Sequence, residues 1–259
     1  MSKGSRNRQR AREKIAQMRA QEVRRRRRRN WLVGAGAAAV VVIAAVAITL
    51  AVTGGGSNGS AGGTPQLKLG SLASLGTLRP APAPGAIGPE GVPVPSAAPL
   101  ASTTAAATGQ DVGGIKCQTS EQVALHIHAH LTIFVNGSPR QIPAGVGIPG
   151  ARPQNTAQGL FASGGSCLYW LHTHAADGII HVESPIQRTY TLGDFFGEWG
   201  QPLGPRQVGP ATGHVTAIYN GKPYQGNPRD IPLNAHAQIQ LEVSRPLIAP
   251  ETITWPSDL

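Results

Sequence analysis

Methionine is almost missing from this chain: Met1 and Met18 are the only two, both inside a basic stretch at the amino end. A methionine-ligated blue-copper centre is thereby excluded from the remainder. Cysteine is as scarce, with Cys117 and Cys167 alone. No G-x-S-x-G elbow, P-loop or H-E-x-x-H helix occurs, nor a dinucleotide fingerprint in a strand-to-helix setting. Ser166 and Ser184 lie near histidines but without a nucleophile elbow, so serine hydrolysis has no support. Charge of either sign is also short outside one segment. Met1–Asn30 holds 13 Lys or Arg against Glu13 and Glu22, a net of +11, which leaves the rest of a +10 chain at −1.

That basic tail ends in six arginines, Arg24–Arg29, and runs directly into "WLVGAGAAAVVVIAAVAITLAVT", Trp31–Thr53, which has no charged residue. Twenty-three residues at 1.5 Å each span a hydrocarbon core of about 30 Å. Basic residues beside such a segment hold that end in the cytoplasm. The expectation is a cytoplasmic tail (1–30), a single transmembrane helix (31–53) in the plasma membrane, and everything after it outside. A cleaved signal peptide fits less well, because the apolar stretch is longer than usual and no convincing small-x-small site follows. Anionic lipid is the nearer partner for the tail than nucleic acid, and no nucleic-acid partner is expected.

Residues 54–114 read as a linker rich in Gly, Pro and Ala, flexible at "GGGSNGSAGG" and extended at "PAPAPGAIGPEGVPVPSAAP". A folded domain is expected over 115–251. Its signals are mainly β. "HIHAHLTIFV" alternates, with Ile127, Ala129, Leu131, Ile133 and Val135 on one face and His126, His128, His130 and Thr132 on the other. "HAQIQLEV" alternates too, with Gln238, Gln240 and Glu242 expected to face outward. One helix is expected in "TLGDFFGEWG", capped by Thr191 and Asp194 and ended by Gly200. "HLTIFVNGSP" and "HVTAIYNGKP" match at an offset of 84, each a strand running into an Asn-Gly turn. The fold class expected is therefore mainly β (α+β), a compact antiparallel β domain with one short helix, its carboxy-terminal half β-grasp-like.

All eight histidines fall in this domain. In "LHTHAADGIIHVES", a two-residue turn at Asp177-Gly178 sets His174 opposite His181 and His172 opposite Glu183. A four-residue loop sets His172 opposite His181 instead. Either register leaves the three imidazoles on one side, because strand side chains alternate with period two. If the strand bearing His126, His128 and His130 lies alongside, up to six imidazoles converge, with Glu183 as ligand or as partner to a ring. Imidazole suits copper and zinc alike, and three such ligands with an open fourth position make a catalytic-type arrangement.

A Cys117–Cys167 disulfide is expected outside the membrane. It also removes the free thiolate that a blue-copper reading of "CLYWLH" requires. The cupin pattern lacks its glutamate after H-x-H, and the superoxide dismutase signature is not recognisable. From about Leu125 to Val243, through "HIHAHL", "LHTHAADGIIHVESP" and "YTLGDFFGEWG", the domain resembles uncharacterised bacterial extracytoplasmic domains. The tail and anchor are similar to those of actinobacterial envelope proteins. That resemblance implies no activity. The residues themselves point to a tethered copper- or zinc-binding domain that buffers, senses or delivers the ion to an envelope trafficking partner. The alternatives are a His/Glu metalloenzyme, with Glu183 or Asp177 moving protons, and an envelope interaction module whose histidines are incidental.

Overall fold

Alternation carries the chain out along an eleven-residue strand, and Asn136-Gly137 turns it back. Both turn residues have positive φ, 52° and 74°, and the pair Asn220-Gly221 repeats this at 49° and 74°. Asn and Gly are the residues that reach this region at little cost, and the resulting turn matches strand twist.

The computed structural model describes residues 67–257 and 259; the basic tail, the expected membrane segment and residues 54–66 lie outside them. No helix among the described residues is long and apolar enough to cross a membrane. In chain order the elements are β1 (Cys117–Gln118), β2 (Leu125–Val135), β3 (Ser138–Arg140), β4 (Gln154–Thr156), β5 (Gly159–Phe161), β6 (Leu168–Tyr169), β7 (Leu171–His172), β8 (Ile179–Ser184), α1 (Leu192–Trp199), β9 (Leu203–Gly204), β10 (Gln207–Val208), β11 (Ala211–Thr212), β12 (Val215–Tyr219), β13 (Lys222–Tyr224) and β14 (Gln238–Val243). The chain is mainly β with one short α-helix among the described residues.

Seven strands make the main sheet, in the order β13-β12-β14-β2-β8-β7 with β3 also paired to β2. It is not wholly antiparallel, as the sequence had led us to expect. β14 runs parallel to β2, from Gln238 beside His130 to Val243 beside Val135. A parallel neighbour requires a long crossover, and the hundred or so residues that supply it carry no local sign of where the returning strand will dock.

One face of this sheet is apolar. Ala129, Leu131 and Ile133 of β2, Ile180 and Val182 of β8, and Ile239, Leu241 and Val243 of β14 pack with Phe195, Phe196 and Trp199 of α1. The helix forms where expected: the Thr191 hydroxyl accepts from Asp194 N, the Asp194 carboxylate accepts from Thr191 N, and Gly200 ends it in the left-handed region.

The opposite face is polar yet covered, so the outward residues of β14 are largely withdrawn from solvent, with Gln238 half-buried. Gln240 and Glu242 are buried. Backbone N–H groups of Ile248, Glu251 and Ile253 donate to Glu242, Gln240 and Gln238, at 2.9, 2.8 and 2.8 Å. These side-chain oxygens stand in for a neighbouring strand, satisfying the backbone of the carboxy-terminal extension.

The expected linker is likewise attached from Leu67 onward, in the same unit as the sheet. Leu69 bridges Tyr224, Arg79 bridges Ile248 and Pro99 bridges Gln141. Ala86–Val94 folds into a small loop, closed by Val94 N to Ala86 O and Gly88 N to Val92 O, both 2.8 Å. Proline keeps this strap out of a regular ladder, but its remaining amides and carbonyls still find partners.

Candidate metal centre

Three neighbouring strands bring the imidazoles together. β2 pairs with β8 so that His128 lies opposite His181 and His126 opposite Glu183. β8 pairs with β7 so that His172 lies opposite His181, the register of the longer loop. His128, His181 and His172 therefore form one rung across the polar face. At the loop, Gly178 has φ 89°, and a Cβ there would meet the Leu131 carbonyl at 2.4 Å. Only glycine fits this close approach of β8 to β2. The Cys117–Cys167 disulfide is present, and β1 pairs with β6 immediately before β7.

Each ring is held from behind. His172 Nδ1 donates to Tyr169 O at 2.9 Å, and His174 Nδ1 donates to Ala162 O at 2.6 Å. Phe161 stacks on the His174 ring with centroids 5.1 Å apart. A carbonyl can only accept, so in the neutral rings both Nε2 atoms carry lone pairs. Those two atoms face each other at 3.2 Å. Two lone pairs at that distance repel unless a cation lies between or beside them. A tetrahedral ion with nitrogen at about 2.0–2.1 Å places neighbouring ligands about 3.3 Å apart, which the observed separation matches. Metal-bound histidines characteristically give their other N–H to a carbonyl or carboxylate.

His181 completes the group. Its Nε2 donates to Glu90 Oε1 at 2.6 Å, leaving Nδ1 toward Glu183 Oε1 at 3.5 Å. Glu183 also receives His126 Nε2 at 3.2 Å, and its second oxygen stands 4.0 Å from His172 Nε2. His172, His174 and His181 form one trio able to hold an ion, and His126, His128 and His181 form another; within each, the ligand atoms lie within 4.8 Å of one another.

Charge is unevenly favoured across this cluster. Burial, then His181 and His174, push His172 down to about 3, and burial with His181 and His126 does the same to His128. Burial opposes the charged form of His181 too, but bonds to Glu183 and Glu90 outweigh it and raise the group to about 9. Burial would raise Glu183, yet bonds from His126 and His181 hold it well below the usual carboxylate range. The two carboxylates thus hold His181 toward its charged form.

His130 is the predicted residue that the structure sets apart. It shares the polar face, but its Nε2 donates to Asp177 O at 2.9 Å and it belongs to neither trio. The loop carbonyl captures the ring. Burial lowers it to about 4, so it serves as a neutral strut. Glu90 is the residue that sequence reasoning missed, since nothing local marks one glutamate in a proline-rich stretch 91 residues from its partner. Asp177 stands nearby, raised to about 8 by burial and by Glu90. It lines a cavity of about 510 Å³ with His130, Thr132, Arg140 and Glu251.

These buried histidine clusters can hold a metal ion, on a domain that matches no protein-family model, no curated protein and no solved structure.

Proposed function

We propose that this chain is a membrane-tethered extracytoplasmic domain that binds one copper or zinc ion through His172, His174 and His181, with Glu183 beside them, to buffer, sense or deliver it. The site would sit on a β-grasp-like sheet, in which β3-β2-β14-β12-β13 surround a parallel central pair. One observation carries the reading: His172 Nε2 and His174 Nε2 face each other at 3.2 Å while both Nδ1 atoms are committed to carbonyls. An ion bound between the two nitrogens would relieve that repulsion, whereas burial disfavours a proton on His172. Imidazole with one carboxylate suits Zn(II) and Cu(II). The residues 31–53 supply the tether, and the disulfide is consistent with an oxidising compartment.

The test is a titration of the full chain in detergent with Zn(II), Cu(II) and Cu(I), beside His172→Ala. One tight equivalent, lost in the variant, is the expected result. Weak, non-stoichiometric uptake equal in both would leave an interaction module with incidental histidines. A second reading, a His/Glu metalloenzyme, is favoured by the cavity beside Asp177, whose volume is that of a small-molecule site. Steady metal binding without turnover of added substrates would favour the first reading over it.

A further inference from the structure

An ion at His172, His174 and His181 leaves two residues unexplained. His128 Nε2 is buried without a hydrogen-bond partner. His126, its neighbour on the same face, is the one exposed imidazole of the cluster, with 31% of its side chain accessible. A solvated strand face does not account for a buried, unpartnered nitrogen, since leaving such a group unsatisfied is destabilising.

We infer that His126, His128 and His181 form a second, outer metal position through which a copper or zinc ion is loaded into the inner one and released from it. This rests on the inner-site reading above. The inner position is sealed: His172 is fully buried, Phe161 covers His174, and the Glu90 strap closes over His181. An ion has to reach it past residues that can replace its water ligands one by one, because a bare divalent ion in a protein interior is prohibitively unstable.

The outer trio provides that route. His181 belongs to both sets, so it need not let go during the transfer. Glu183 lies between them, one oxygen 3.2 Å from His126 Nε2 and the other 4.0 Å from His172 Nε2. It can follow the ion by exchanging which oxygen binds. With His181 Nε2 given to Glu90, the ring can offer an ion only Nδ1, and only after the proton there has left. The two positions are therefore filled alternately, and capacity is one ion.

The experiment is stopped-flow loading of the full chain with glycine-buffered Cu(II), read by tryptophan quenching, together with equilibrium competition and chelator-driven release. In His126→Ala and in His126→Ala/His128→Ala, loading is expected to slow at least tenfold while the equilibrium constant stays within about threefold. Release must then slow by the same factor. The exposed His126 single variant guards against a folding defect in the double. Unchanged loading, or affinity lost in step with rate, overturns the inference while leaving the inner site intact. Absence of tight binding in the parent chain sinks the inner site as well, and His172→Ala separates the two: it should leave a faster, weaker outer site.

Discussion

The two faces of the main sheet are both largely buried and built from opposite materials. Beneath α1, aliphatic and aromatic side chains meet, and burial itself is the favourable contribution. On the other face, histidines, glutamates and glutamines are covered by two extended segments, and burial costs free energy unless each polar atom finds a partner. The first face can lose any one contact and keep its logic. The second depends on particular atoms at particular distances, and the groups left without partners gather at the histidines. The contrast teaches that occlusion from water does not by itself mark a core.

The comparison breaks most visibly at the apolar face. Trp199→Ala, which empties a fully buried site among Phe195 and Phe196, should cost about 3–5 kcal/mol in denaturant unfolding while leaving metal affinity per folded molecule unchanged. His172→Ala should do the reverse: metal affinity falls by more than roughly 100-fold, the upper range for outer partners, in competition titrations. Glu90→Ala removes the acceptor behind His181 and should weaken metal binding by about 10–100-fold; an unchanged constant would reduce the strap to a cover.

The smallest effect concerns the exception on the apolar side. Glu198 of α1 is buried with both carboxylate oxygens unpartnered, and burial, with Asp194, raises it well above its ordinary value. A raised carboxyl binds its proton more tightly in the native state, so stability is full below about pH 4.5 and declines as pH rises beyond it. Glu198→Gln should be more stable than the parent at pH 7, with the gap closing below about pH 4.5 in pH-dependent melting.

What could be read from the sequence was what is local. The Thr191–Asp194 cap, the two Asn-Gly turns and the sidedness of His172 and His181 follow from spacing within a few residues. The parallel docking of β14 on β2 does not, because either edge of β2 would satisfy the same alternation. Gln240 and Glu242 were assigned to solvent because they are polar, whereas their partners are backbone groups of a segment with no regular pattern of its own. His130 shares its period with His128, and only the position of the Asp177 carbonyl separates their roles. Glu90 reaches the site from 91 residues away and Ala162 from an irregular stretch 12 residues before His174, so the candidate centre was visible as ligands and hidden as a framework.

Gly70 N bonds Pro223 O at 2.7 Å, Arg79 N bonds Leu247 O at 2.8 Å, and Glu90 follows on the same strap. Tension pulling the chain away from residue 66 would peel these attachments in that order, the first two before it reached the ring of His181. The strap is thus fastened at several points, and the Glu90 carboxylate behind His181 is the innermost of them.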